Sequence, residues 1–290
     1  MQHIDKSVHR EEGNSITLRY LESIKIEDEQ RYPVDYNNSF RNLPDKENSY
    51  YKQMIDILLV NQRYYCCYCM RRLTGNKDIT LEHIIPQNVD KSKISYYQRD
   101  EVSELKDNIV LSEDFSHTPN PSLDKLPHTV AYDNLSISCK GELPKRKHSI
   151  DVIKDGQCCN NARGNEELFP IYLLDNSNLI VYHKSGKVLE GSDEYWQEDV
   201  RKVISKAKLN CPTLQDIRLL WFILKDNAME EICSLGKEKD TRLDLIRDAL
   251  FLTSLSDEKI DNLLVKFEKE DYWNTFLLYD WFHSVIWDEA

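Results

Sequence analysis

Apolar residues recur at helical spacing through residues 191–290. Three runs place them at positions i, i+3, i+4 and i+7: Val200–Ala207, Ile217–Leu224 and Ile260–Phe267. Thr213 is a residue type favoured at helix N-caps, and Asp216 stands three residues later, where it could reach back to the cap. The pattern predicts a mainly helical C-terminal region over 191–290.

Before residue 191 the pattern is mixed. It predicts a helix over 50–62, a strand over 16–20, and a β-hairpin over 179–189 with Gly186 in the turn. A region that contains the strands, followed by a run of helices, is typical of an α+β fold. We therefore expect an N-terminal segment at 1–49, a mixed domain at 50–190 and the helical region after it.

Composition and charge narrow the classes of function. The 290-residue chain is 40% hydrophobic and 30% charged, which is typical of a globular protein. Its net charge of -12 argues against tight unaided binding to nucleic acid. No stretch approaches the ~20 apolar residues of a membrane helix, and the first residues lack the layout of a signal peptide. We expect a cytoplasmic protein with reduced cysteines.

Six of the eight cysteines fall between residues 66 and 159. Cys66 and Cys69 have the spacing of a zinc knuckle, and Cys139 with Cys158 or Cys159 would complete a site of four thiolates. Cys67 is a competing ligand. The alternative is that these are small buried side chains that only pack, which is our interpretation of Cys211 and Cys233.

A second chemical motif is the adjacent pair Glu82 and His83, in the strand-like segment 80–87. Neighbouring residues of a strand point to opposite faces. The carboxylate could then hold a metal ion while the imidazole addresses a different atom nearby. An acid next to a histidine is common by chance, but this pair follows a Cys-x-x-Cys motif.

Four motifs together resemble the HNH endonucleases, the ββα-metal nucleases, and in particular the PtuB-type nucleases of bacterial Septu antiphage systems and of some retron systems. They are the knuckle Tyr-Cys-Cys-Tyr-Cys, then Leu-Glu-His-Ile-Ile-Pro, then Asp-Asn-Leu before Cys139, and Cys-Asn-x-x-Arg-Gly from Cys159. The detailed likeness covers residues 66–170. It implies an HNH core with a zinc knuckle, followed by the helical region.

The resemblance assigns roles to individual residues. It makes His83 the general base, and it makes Glu82 and Asn160 the ligands of a catalytic Mg²⁺ or Mn²⁺, with Asn161 as the substitute for Asn160. Asn134 would brace the loop behind His83. An equally similar segment contains Asn108, but Cys139 follows Asn134 at the expected distance.

The resemblance also implies a structural Zn²⁺ site at Cys66, Cys69, Cys139 and Cys159. Residues 140–157 are an insertion relative to the family pattern, so they must loop out if the site is kept. Arg163 stands where the family usually has lysine. Together with the basic run Lys145, Arg146 and Lys147 it is the candidate for phosphate contacts.

The expected function is hydrolysis of phosphodiester bonds in DNA, within a hetero-oligomeric complex that contains an ATPase of the PtuA type. The aromatic stretch over 272–287 would either dock that partner or pack in the core. The alternative function is a zinc-binding adaptor without catalysis. A zinc hydrolase of another class is disfavoured because the chain has no His-Glu-x-x-His motif.

Overall fold

The computed structural model describes residues 1–34, 49–75, 78–143, 157–164, 166–234, 239–251, 253 and 255–288. Two compact units share the chain, and their segments are interleaved. The first unit contains 1–67, 75–138 and 165–176, and the second contains 68–74, 139–164 and 177–290. This division differs from the consecutive ranges that the sequence predicts, because long-range contacts and not composition define it.

The first unit contains five described α-helices. They are α1 (Arg10–Ile24), α2 (Tyr50–Asn61), α3 (Ile94–Tyr97), α4 (Ser103–Asp107) and α5 (Ser112–His117). The predicted helix at 50–62 is confirmed, and the Ser49 side chain caps it by accepting a hydrogen bond from the Lys52 amide. The predicted strand at 16–20 is wrong, because this segment lies inside α1 and buries Ile16, Thr17 and Tyr20 on one helical face.

The described strands of the first unit form two small sheets. In one, β1 (Ile79–His83) pairs with β4 (Leu135–Cys139), and every residue of β4 is buried. In the other, β2 (Ile109–Val110) lies parallel to β3 (Leu126–Pro127). The chain between β3 and β4 is therefore fixed at both ends.

Helix α1 supports this connection between β3 and β4. A Cβ atom on Gly13 would lie 2.3 Å from the Tyr132 ring, so glycine is required for the helix to approach so closely. The Thr17 hydroxyl donates a hydrogen bond of 2.9 Å to the Val130 carbonyl. The Lys6 ammonium, buried just before α1, donates to the carbonyl of Leu135.

The second unit begins its described secondary structure with α6 (Cys159–Arg163) and an antiparallel hairpin of β5 (Ile180–Tyr182) and β6 (Val188–Glu190). The hairpin confirms the prediction, and its Gly186 has a φ of 81°. The other described helices are α7 (Gln197–Lys206), α8 (Pro212–Ile223), α9 (Met229–Ser234), α10 (Lys239–Phe251), α11 (Asp257–Phe267) and α12 (Glu270–Leu277).

Helix α8 begins differently from the prediction. Its N-cap residue is Cys211, Pro212 occupies the first turn, and Thr213 is already helical. Asp216 is buried and pairs with the ammonium groups of Lys259 and Lys266, so it does not form the expected capping box.

The aromatic stretch at the C-terminal end of the chain forms a core. Tyr272, Trp273, Phe276, Tyr279, Phe282 and Trp287 are all buried. The Trp221 ring of α8 stacks on Phe276 with their centroids 4.3 Å apart. Burial favours packing over docking for these rings. Among the described residues, no helix combines the length and apolarity that a membrane crossing requires.

Candidate metal centre and catalytic loop

Four buried cysteines converge in space: Cys66, Cys69, Cys139 and Cys159. Their Sγ atoms all lie within 4.8 Å of one another. The sulfurs of Cys69 and Cys139 are 3.7 Å apart, which is far longer than the ~2.05 Å of a disulfide bond. Sulfurs that bind one tetrahedral ion at ~2.3 Å would lie about 3.8 Å apart. The cluster can hold a metal ion, and it has the membership that the motif predicts.

The knuckle turn is shaped by backbone contacts on either side of its cysteines. The Cys67 amide donates a hydrogen bond of 3.1 Å to the Ile137 carbonyl of β4. Met70 follows Cys69 with a φ of 62°, in the left-handed region that a bulky residue seldom adopts. The left-handed conformation of Met70 turns the chain away from the cysteines directly after Cys69.

Contacts between the described residues at the two ends of the insertion at 140–157 bring Cys139 and Cys159 together. Glu142 and Gln157 form an antiparallel bridge, and the Cys158 amide donates to the Gly141 carbonyl at 3.0 Å. A Cβ atom on Gly141 would lie 1.7 Å from the Cys158 carbonyl oxygen, so this closure requires glycine. These contacts lie next to the metal cluster and keep its ligands Cys139 and Cys159 close together.

Cys159 itself has a φ of 50°, an uncommon conformation for a residue that opens a helix. Its amide donates to the Ala207 carbonyl at 2.9 Å, which fixes the strained residue in place. Strain of this kind persists where the surroundings enforce it, and it often marks a functional position.

The competing cysteines lie outside the cluster. Cys67 is buried, and its sulfur accepts a hydrogen bond from the Ser136 hydroxyl. Burial raises the pKa of the Cys67 thiol well above its usual value. Burial also raises the pKa of Cys211 to about 12, which is consistent with packing. Cys158, although buried next to Cys159, is not a member of the four-sulfur group.

His83 ends strand β1 and is half-buried. Its Nε2 atom lies 2.9 Å from the Thr129 carbonyl oxygen. A carbonyl oxygen only accepts hydrogen bonds, so Nε2 carries the proton in this arrangement. In the neutral imidazole, Nδ1 is then the basic nitrogen.

Asn134 is fully buried and binds the chain directly after His83. Its Oδ1 atom accepts from the Ile85 amide at 2.7 Å, and its Nδ2 group donates to the carbonyls of Ile85 and His128 at 3.0 and 2.7 Å. Its backbone carbonyl accepts from the Ile84 amide. Asn108, the similar candidate, instead donates to the Asp133 carboxylate at 2.9 Å.

Sequence reasoning gave no role to His128, Thr129 or Ser112, which form the far side of this loop. The Ser112 amide donates to His128 Nδ1 at 2.9 Å, and the Ser112 and Thr129 hydroxyls are 2.7 Å apart. The buried His128 has a lowered pKa, because burial disfavours the imidazolium. No motif marks these residues, since their partners come from distant parts of the chain.

Glu82 and Asn160 fall in different units. The Glu82 carboxylate is buried and accepts a hydrogen bond of 2.7 Å from the Ser138 hydroxyl of β4. Asn160 is half-buried and Asn161 is exposed, both in α6. Among the described residues, the four cysteines are the only group of three or more His, Cys, Asp or Glu side chains that meets the geometry of a metal site.

The basic residues expected to contact phosphate are buried or lie outside the described part of the chain. Arg163 is only 6% exposed, and its guanidinium donates to the Tyr68 hydroxyl at 2.9 Å. A buried side chain that already binds the knuckle turn is placed to support that turn, so the expected phosphate contact at Arg163 is not supported. Lys145, Arg146 and Lys147 lie outside the described residues.

The chain was compared with protein-family models, with curated proteins and with solved structures, and none of the three comparisons found a match.

Proposed function

We propose that the protein is a metal-dependent endonuclease of the HNH type that hydrolyses phosphodiester bonds in DNA. The observation that carries the proposal is the environment of His83. A hydrogen bond from Nε2 to the Thr129 carbonyl fixes the orientation of the His83 ring. Asn134 forms hydrogen bonds with the two residues that follow His83. A histidine held in one tautomer at the end of a strand is suited to general-base catalysis.

Zinc fits the cysteine cluster. The donors are four sulfurs, all buried, at spacings that a tetrahedral ion requires. Such a site has no open coordination position, so we assign it a structural role. It would join the knuckle turn, the end of β4 and the start of α6, which carry three of the four family motifs.

Within the reaction, His83 would accept the proton of the attacking water at Nδ1 while Nε2 keeps its hydrogen bond to Thr129. The network around Asn134 would prevent rotation of the backbone that carries the ring. Because the network consists of buried polar groups that are paired with one another, its geometry is stiff.

A hard divalent ion suits the oxygen donors of Glu82 and Asn160, since Mg²⁺ is commonly bound through one or two carboxylates together with waters and substrate phosphates. When bound, Mg²⁺ or Mn²⁺ would stabilise negative charge on the phosphate and on the leaving 3′ oxygen. The hydrogen bond from Ser138 would orient the Glu82 carboxylate.

Because the net charge is -12, we propose that a partner protein brings this protein to DNA. Non-specific affinity for DNA comes mainly from the neutralisation of phosphates by lysine and arginine. An ATPase of the PtuA type, which the sequence resemblance implies, would hold or present the DNA in an antiphage complex.

A zinc-binding adaptor is the second candidate, and one observation favours it. Among the described residues, no carboxylate or histidine joins a group of three that could bind a metal, whereas the structural cysteine group is complete. An adaptor would need the cysteines and would not need His83.

The test is plasmid cleavage by purified protein with Mg²⁺ or Mn²⁺, with and without an ATPase of the PtuA type. His83→Ala should lower the rate about 10²–10⁴-fold, which is the usual contribution of a general base. His117→Ala is the matched control, because this exposed histidine of α5 lies outside the loop. Cleavage by His83→Ala at the control rate would refute the assignment, and absence of cleavage by the wild-type complex would favour the adaptor.

A further inference from the structure

The knuckle turn is bound by a short segment near the C-terminal end of the chain, after helix α12. The Arg72 amide donates to the Leu278 carbonyl at 2.6 Å, and the Arg72 guanidinium donates to the Asp280 carboxylate, with Nε at 2.8 Å. Between these two contacts, the Tyr279 hydroxyl lies 3.6 Å from the sulfur of Cys69. Three consecutive residues therefore contact the turn that carries a cluster cysteine.

We infer that Tyr279 is an outer support of the metal centre, whose hydroxyl donates a hydrogen bond to the metal-bound sulfur of Cys69. The inference rests on the metal binding proposed above. A thiolate that coordinates a metal has no proton, so the phenol must be the donor of this contact. Partners of this kind orient metal ligands and tune their affinity.

The tyrosine is held so that this contact persists. Its side chain is fully buried, and its ring stacks on Phe282 with an interplanar angle of 27°. The Tyr279 amide donates to Phe276, and its carbonyl accepts from Phe282.

The arrangement makes metal binding and the order of the C-terminal segment interdependent. When the cluster is loaded, the phenol has a charged acceptor, and a charge-assisted hydrogen bond is roughly twice as strong as a neutral one. When the metal is removed, the four sulfurs lose their common centre, and Tyr279 loses that acceptor. The hydrogen bonds of Arg72 to Leu278 and Asp280 then remain between the knuckle turn and the C-terminal segment.

The experiment compares Tyr279→Phe with Tyr272→Phe in the full chain. Both variants remove one hydroxyl from a buried tyrosine, and Tyr272 lies in α12. Zinc affinity is measured by competition with a chromogenic chelator, and the thiolate-to-metal absorption of the Co²⁺-substituted protein reports on the sulfur itself. We expect Tyr279→Phe to raise the Kd for zinc about 10–100-fold and to shift the Co²⁺ band, and Tyr272→Phe to change neither.

A second variant keeps the phenol and loosens its segment. Asp280→Asn removes the charge that pairs with Arg72, so the Kd for zinc should rise by less than in Tyr279→Phe. Equal affinities and spectra for Tyr279→Phe and Tyr272→Phe would overturn the inference, as would an unchanged Kd in Asp280→Asn. If the wild-type chain shows neither zinc binding nor a thiolate band with Co²⁺, the metal centre itself is refuted, and the inference falls with it.

Discussion

Around Asn134 in the first unit, side-chain and backbone groups pair through hydrogen bonds, whereas the four cluster sulfurs converge on a position that a metal ion could occupy. The amide of Asn134 makes three hydrogen bonds, and the His83 ring has its carbonyl partner. Cys69 instead faces the sulfur of Cys139 at 3.7 Å. The loop can therefore form from the chain alone, but the cluster requires an ion to use its donors.

The difference predicts two kinds of failure. A lost partner in the loop leaves a buried polar group unpaired, which costs a limited amount of free energy. A lost ligand in the cluster removes the metal, and metal binding to a structural site is coupled to folding. Three of the four predicted changes break one of these regions, and one breaks the aromatic core of the second unit. Their expected effects decrease in the order given.

Loss of the metal should have the largest effect. Cys139→Ser should abolish stoichiometric zinc and the cooperative unfolding of the second unit, since a structural zinc contributes ~10 kcal/mol or more in zinc-finger peptides. Cys211→Ser, a buried cysteine of the same unit outside the cluster, should keep its zinc. Metal analysis and thermal unfolding measure both properties. Retention of zinc by Cys139→Ser would show that the ligand set is wrong.

The aromatic core of the second unit should come next. The Trp287 ring contacts Tyr182, Phe222 and Phe282 at centroid distances of 6.3, 5.6 and 6.0 Å. Trp287→Ala should lower the free energy of unfolding by about 3–5 kcal/mol in urea titration. Tyr195→Ala, at a ring that is 67% exposed, is the control and should cost much less. A folded Trp287→Ala with wild-type stability would favour a docking surface instead.

Breaking the loop should cost somewhat less. Asn134→Ala leaves the Ile85 amide and the carbonyls of Ile85 and His128 without their partner, which we expect to lower stability by roughly 3 kcal/mol. Asn108→Ala removes one hydrogen bond at a half-buried position and should cost less than about 1.5 kcal/mol. Equal losses in the two variants would mean that Asn134 is not the brace of the loop.

The smallest effect is a dependence of stability on pH. Burial lowers the pKa of His128 below the ordinary 6.5 that it has when unfolded. Between these two values the unfolded chain binds more protons, so stability should fall as the pH decreases through 6.5, by at most ~1.4 kcal/mol per pH unit. Below the folded-state pKa this contribution should level off. In His128→Gln the corresponding part of the slope should disappear, and an unchanged slope would assign it to other groups.

The sequence predicted several local features correctly because short-range chemistry decides them. The hairpin needs a turn residue that tolerates positive φ, and Gly186 provides it. The helices of the second unit follow the apolar period. The cluster cysteines were identified by spacing and resemblance, because two thiolates in one turn require two more from elsewhere, and the chain offers few other cysteines.

Where the structure departs from what the residue types suggest, the cause is the opposite one. The segment 16–20 is rich in strand-forming residues, but it lies in α1, where its buried face packs against residues more than a hundred positions away. Arg163 has the charge expected of a phosphate contact, but the fold buries it against Tyr68. Residue type indicates what a side chain can do, and burial decides which of those possibilities remains.

By itself, then, the sequence determined which side chains could bind metal or act in catalysis, namely the cysteines and the pair Glu82 and His83. It also determined the local helices and the hairpin. Only the tertiary structure decided which of these side chains lie close together in space. It brought Cys139 to Cys159 through the bridge of Glu142 with Gln157. It also placed Thr129 against the His83 ring. These contacts depend on backbone atoms that are far apart in the chain, and backbone atoms are the same in every residue, so no residue type reveals their pairing in advance.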